Sequence, residues 1–170
     1  MKGGIRGGRP RMRGDSTLKP RAIQAAADPQ LKAVTPMEHA KKRILFVCVG
    51  NACRSQMAEA FARAYGADIL SVHSAGLSPA RGLPPLTRQV LAEKHIPTEG
   101  QFPKGLEAFT GEPFDVVVNL SGEPLPASVT GRLIEWGVRD PIGESESVYR
   151  AVAAEIEGLV MRLILELRGT

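Results

Sequence analysis

Cysteine is scarce in this chain of 170 residues: there are two, Cys48 and Cys53. Two cysteines cannot staple a small secreted scaffold, and no N-terminal segment has the apolar core of a signal peptide. The expected home is therefore a reducing cytoplasm, where cysteines stay thiols. Long apolar runs are also missing. None approaches the roughly 18 residues that cross a bilayer, so no transmembrane helix is expected. Aromatics are sparse at 5%, but 43% of residues are apolar, enough for the core of one domain of ordinary size.

Positive charge is confined to one end. Residues 1–36 carry eight basic side chains against Asp15 and Asp28, a balance of +6, which leaves −2 for residues 37–170. The high isoelectric point thus belongs to the first segment and says little about what the rest binds. That segment is rich in Gly, Pro and Arg and has no apolar period. It predicts a basic, disordered N-terminal extension over 1–36, with a domain over 37–170 that begins at Met37. Such an arm can touch RNA or a membrane surface weakly; the plainer reading is a solvated tail or a start codon placed too early.

From there strands and helices alternate. Strands are expected over 43–47, 69–73 (stopped by a turn at Ser74-Ala75-Gly76), 115–120 and 133–138. Helices are expected over 56–65, 85–94 and 147–167, with a short helical piece at 105–109. The fold class is α/β: a three-layer domain with a four-stranded parallel sheet, its crossovers right-handed.

The informative stretch is Cys48-Val49-Gly50-Asn51-Ala52-Cys53-Arg54-Ser55, between the first strand and the first helix. Ligands of parallel sheets bind beyond the carboxyl ends of strands, where unpaired helix N–H groups favour an anion. Gly50 and Asn51 tolerate left-handed backbone, which lets several N–H groups converge. A cysteine facing that positive concavity is favoured as a thiolate. Arg54 can return over the loop as a bidentate clamp, and Ser55 can donate to the sulfur. The plain alternative is an inert core cysteine with a chance arginine. A zinc site is disfavoured because His73 and His95 lack ligand spacing, and no metal or other cofactor is expected.

The run ILFVCVGNACRSQMAEAFAR resembles the low-molecular-weight protein tyrosine phosphatase superfamily, which includes the thioredoxin-coupled arsenate reductases. The resemblance continues through Ser74-Ala75-Gly76, strand 115–120 and Trp136-Gly137-Val138-Arg139-Asp140-Pro141, about residues 42–167 in all. It implies that Cys48 is the nucleophile, Arg54 the oxyanion clamp, Ser55 the thiolate stabiliser and Asp140 the general acid. Residues 49–55 (Val49, Gly50, Asn51, Ala52, Cys53, Arg54, Ser55) would bind the substrate.

Two departures matter. Ile142 follows Asp140-Pro141 where phosphotyrosine-specific members carry an aromatic. Asn119, Leu120 and Ser121 stand where thioredoxin-coupled members keep further cysteines, and none follows Cys53, so that relay cannot operate. Cys53 is then a buried spacer, a thiol that protects Cys48 through a reversible disulfide, or a resolving thiol; protection is the favoured reading. His73 is expected at a strand end, His95 on an exposed helix, and Tyr149 in packing. The first functional expectation is a phosphatase acting through a phosphocysteine on a phosphorylated protein or small phosphoester. The alternative is an arsenate reductase served by a small-molecule thiol. The third is a non-catalytic oxyanion-binding module.

Overall fold

The structure, a computed structural model, describes residues 40–170. The expected extension over 1–36 and the domain start at 37 lie outside the described residues. The elements run β1 (Lys42–Cys48), α1 (Arg54–Gly66), β2 (Leu70–Gly76), α2 (Pro85–Glu93), a 3₁₀ turn (Leu106–Phe109), β3 (Val116–Asn119), β4 (Arg132–Glu135) and α3 (Glu146–Arg168). The four strands form one parallel sheet in the order β2-β1-β3-β4. Among the described residues no helix is long and apolar enough to cross a membrane.

The alternation of β1 assigns its residues to two cores. Ile44, Phe46 and Cys48 face Met57, Phe61 and Ala62 of α1, Val90 and Leu91 of α2, and the buried stripe of α3 from Val152 to Leu167. Leu45 and Val47 face the other way, toward Phe114, Val117, Leu106, Phe109, Leu125 and Val129. All three α-helices therefore share one face, and the third layer consists of the 3₁₀ turn and its flanking loops. Because β2 and β3 lie on opposite sides of β1, connections leave the sheet in opposite senses beyond the strand ends. That divergence is where α/β sheets hold ligands.

Two strands, β2 and β4, differ from the sequence expectation by more than a residue at one end. Ser74-Ala75-Gly76 is not a turn: it extends β2, pairing with Phe46, Val47 and Cys48 in register. At Gly76 the small size answers to the loop packed over the strand. A Cβ on Gly76 would lie 2.8 Å from Asn51 N and 2.8 Å from Val49 O. The fourth strand begins one residue earlier than expected and stops at Glu135, leaving Trp136–Val138 out of the sheet. Trp136 N still bonds Asn119 O at 2.9 Å, and the chain then turns back toward the end of β1.

His73 lies within β2 rather than at its end, its ring edge-on to Phe109 and Phe114 at 5.4 and 5.8 Å. Burial there lowers its pKa. His95 follows α2 in a left-handed conformation with φ of 58°.

Candidate active site

The loop that leaves β1 at Cys48 is held by three backbone hydrogen bonds. Leu77 N donates to Cys48 O at 3.0 Å, Ser78 N to Val49 O at 2.8 Å and Ala80 N to Gly50 O at 2.9 Å. This segment after β2 thus ties down the loop carbonyls. Of the two residues expected to adopt left-handed backbone, Asn51 does so at φ 48° and Gly50 does not.

Asn51 is fully buried and uses its whole side-chain hydrogen-bonding capacity. Its Nδ2 donates to Ser55 Oγ at 2.8 Å and to Ser74 Oγ at 2.9 Å. Its Oδ1 accepts from Lys104 N at 2.9 Å and from Gln56 Nε2 at 3.1 Å. Ser55 Oγ in turn lies 2.9 Å from Cys48 Sγ. With Asn51 donating to Ser55, the hydroxyl hydrogen of Ser55 is free for the sulfur. Asn51 and Ser55, expected to bind substrate, therefore sit behind the loop and brace it rather than line the cavity.

The chain of contacts continues to a buried acid. Ser74 Oγ donates to Glu59, whose side chain is 2% exposed, and Glu59 pairs with Arg63 and, at 3.9 Å, with Lys104. Burial lowers the Lys104 pKa, with Glu59 opposing the shift. The signal for Glu59 was present in the sequence: it interrupts a run of small and apolar residues in α1 whose first nine positions are all buried. A charge there must find partners.

Cys48, Val49, Gly50, Ala52, Cys53 and Arg54 line a cavity of about 280 Å³, joined by Ala80, Asp140 and Ile142. The N-terminus of α1 opens beside it with no side-chain cap and no acid in its first turn. Its N–H groups suit an anion. Arg54 is 6% exposed. Its Nη1 donates to Leu120 O at 2.6 Å and Val138 O at 3.2 Å, and its Nη2 to Asp140 Oδ2 at 3.0 Å. Three of its five N–H donors are thus occupied. The two that remain, on Nε and Nη2, have no acceptor among the described residues and can donate to a tetrahedral oxyanion.

Cys53 is buried against Thr87 Oγ1 at 3.1 Å and Tyr149 Oη at 3.5 Å. Burial pushes its thiol pKa above the ordinary 9.0, although both hydrogen bonds oppose the shift. Burial, with the contact to Cys53, also pushes the Tyr149 hydroxyl up. Tyr149 is therefore more than packing. Its contact with Cys53 spans 96 positions, which no local pattern reveals.

A family model for low molecular weight phosphotyrosine protein phosphatase matches residues 43–170. The chain belongs to this family. Among its relatives is a glutaredoxin arsenate reductase of Synechocystis, 37% identical over 130 residues that span 74% of this chain and 98% of the relative. Arsenate reductase 1 of Bacillus cereus is 36% identical over 68% of this chain and 89% of its own. A solved structure of an arsenate reductase in the phosphate binding state aligns with a TM-score of 0.69 at 35% identity, covering 74% of this chain and 98% of that one. A tyrosine phosphatase of Erwinia amylovora shares the fold at 21% identity and a TM-score of 0.65, over 74% and 93% of the two chains. The chain is an enzyme of this superfamily, and arsenate reductases are its best-named relatives.

Proposed function

We propose that this protein is a Cys48-dependent arsenate reductase that takes its electrons from a soluble thiol. The observation that carries the reading is the cavity itself. Its floor offers the loop, the uncapped helix end and two free Arg54 donors to one tetrahedral oxyanion, while its walls at Val49, Ala80 and Ile142 hold no aromatic ring. Inorganic arsenate needs nothing beyond that floor. The arsenate reductases among the relatives support the same choice over a phosphotyrosine substrate.

In the proposed reaction Cys48 Sγ attacks arsenic(V), and the departing oxygen takes a proton from Asp140 and leaves as water. A thiol then attacks Cys48 Sγ. The electron pair of the S–As bond passes to arsenic, arsenite leaves, and a mixed disulfide remains on Cys48. A second thiol releases it as the oxidised thiol dimer. Two thiols lose two electrons and arsenic gains two. The attacking thiol is external, because no cysteine follows Cys53 in the sequence and burial keeps Cys53 itself protonated. The mass of the protein after a single turnover with arsenate and one equivalent of glutathione tests this. One glutathione on Cys48 is expected; an internal Cys48–Cys53 disulfide would replace the external step with an internal one.

The Arg54–Asp140 contact favours a second reading, phosphomonoester hydrolysis at the same site. There Asp140 protonates the ester oxygen, a phosphocysteine forms, and Asp140 then activates water against it.

A further inference from the structure

α3 carries seven charged side chains, and five of them are paired: Glu146 and Arg150 with each other, Glu157 with Lys94, Glu166 with Arg132, and Arg168 with Asp68. Glu155 and Arg162, both exposed, have no ion-pair partner among the described residues. They lie two turns apart on the same side of the helix. Beside them runs an outward apolar face of Ala151, Ala154, Gly158, Met161 and Leu165, within about 80° of arc at about 100° per residue. Met161 is 42% exposed and Leu165 64%.

Gly158 is the second anomaly. A mid-helix glycine is destabilising relative to alanine, so it asks for a reason. Gly66, in α1, has one: an added Cβ would lie 2.7 Å from Leu70 Cδ1. At Gly158 an added Cβ would meet nothing closer than Arg162 Nη1 at 3.9 Å. Nothing within the described part of the chain needs a glycine there. A backbone approaching closely from outside would.

We infer that this face is the docking surface for a second copy of the chain, with the two α3 helices antiparallel about a twofold axis near Gly158. The pattern is self-complementary under that operation. Small Ala151 and Ala154 come opposite large Leu165 and Met161 of the partner copy. Glu155 comes opposite the partner's Arg162 on the same flank, and the contact is made twice. An unrelated partner would impose no such mirror relation between residues on either side of Gly158. Glu155, Gly158 and Arg162 all lie outside the catalytic machinery, so activity serves as the control for folding.

Sedimentation velocity of the full chain from low to high micromolar concentration provides the test. The wild type is expected to pass from monomer to dimer as concentration rises. Glu155→Arg is expected to raise the dissociation constant about tenfold or more, because each copy then sets like charges against the other. The exchange Glu155→Arg with Arg162→Glu is expected to restore the dimer. Gly158→Leu is expected to abolish it without lowering the melting temperature. A wild type that stays monomeric at every concentration, as it would if its own N-terminal residues covered the face, overturns the inference. So does an exchange that fails to restore association.

Discussion

Arg54 Nη2 lies 3.0 Å from Asp140 Oδ2, joining the loop after β1 to the segment after β4 across 86 positions. The two partners differ in burial: the Arg54 side chain is 7% exposed and that of Asp140 is 46%. Asp140 therefore sits at the mouth of the cavity, held by the arginine that lines it below. Asp140→Asn keeps an acceptor for Arg54 but removes the proton. Hydrolysis of p-nitrophenyl phosphate is expected to fall by about 10²–10⁴-fold in this variant, with little change in inhibition by inorganic phosphate. A parallel loss of phosphate affinity would mean that Asp140 is a binding residue.

The two cysteines should differ in reactivity, because burial pushes the Cys53 thiol up. Near neutral pH, iodoacetamide followed by peptide mass analysis is expected to modify Cys48 well before Cys53. Labelling of Cys53 at an equal rate would contradict the assignment.

The same burial has a consequence for stability. Cys53 and Tyr149 are both raised on folding, from 9.0 and 10.0 respectively. Their neutral forms are the ones the folded protein accommodates. That contribution is complete below about pH 9 and is lost as pH rises further, so the melting temperature is expected to fall on the alkaline side. Cys53→Ala should reduce the slope of that fall; an unchanged slope would remove Cys53 from the explanation.

Glu59→Gln tests the support beneath the loop. The change keeps the shape but alters the partner of Ser74, Arg63 and Lys104. A loss of about 1–3 kcal/mol is expected by urea denaturation, the usual range for a buried polar group left poorly matched. A neutral result would show that the contact chain from Cys48 to Glu59 adds nothing to the fold.

Gly76→Ala places a methyl group 2.8 Å from the backbone of both Asn51 and Val49. The loop must shift, so phosphate binding and turnover should collapse further than the melting temperature suggests. Retained phosphate affinity would show that the loop tolerates displacement.

How much of this was legible in the sequence depended on distance along the chain. The central strands β1 and β3 were plain because both faces are buried and their apolar runs are continuous. The end of β2 was misread because Ser74, Ala75 and Gly76 are turn-like residue types. Gly76 answers instead to the loop packed over it, and Ser74 to its bonds with Asn51 and Glu59. The short edge strand β4 has an exposed pattern and gave a weak signal at its boundaries. In the candidate site, the grouping of Cys48, Arg54 and Ser55 was legible because the loop is local. The carbonyls of Leu120 and Val138 and the hydroxyls of Thr87 and Tyr149 were not, since each meets the loop or the start of α1 through the fold.

The most direct test is turnover of arsenate by the full chain with glutathione and glutaredoxin, run beside p-nitrophenyl phosphate hydrolysis and with Cys48→Ser as control. The proposal predicts catalytic arsenite release that exceeds the phosphatase rate and vanishes in Cys48→Ser. Hydrolysis of the phosphate ester with no arsenite formed, from protein whose Cys48 thiol is intact, would contradict it and leave phosphomonoester hydrolysis as the activity of the site.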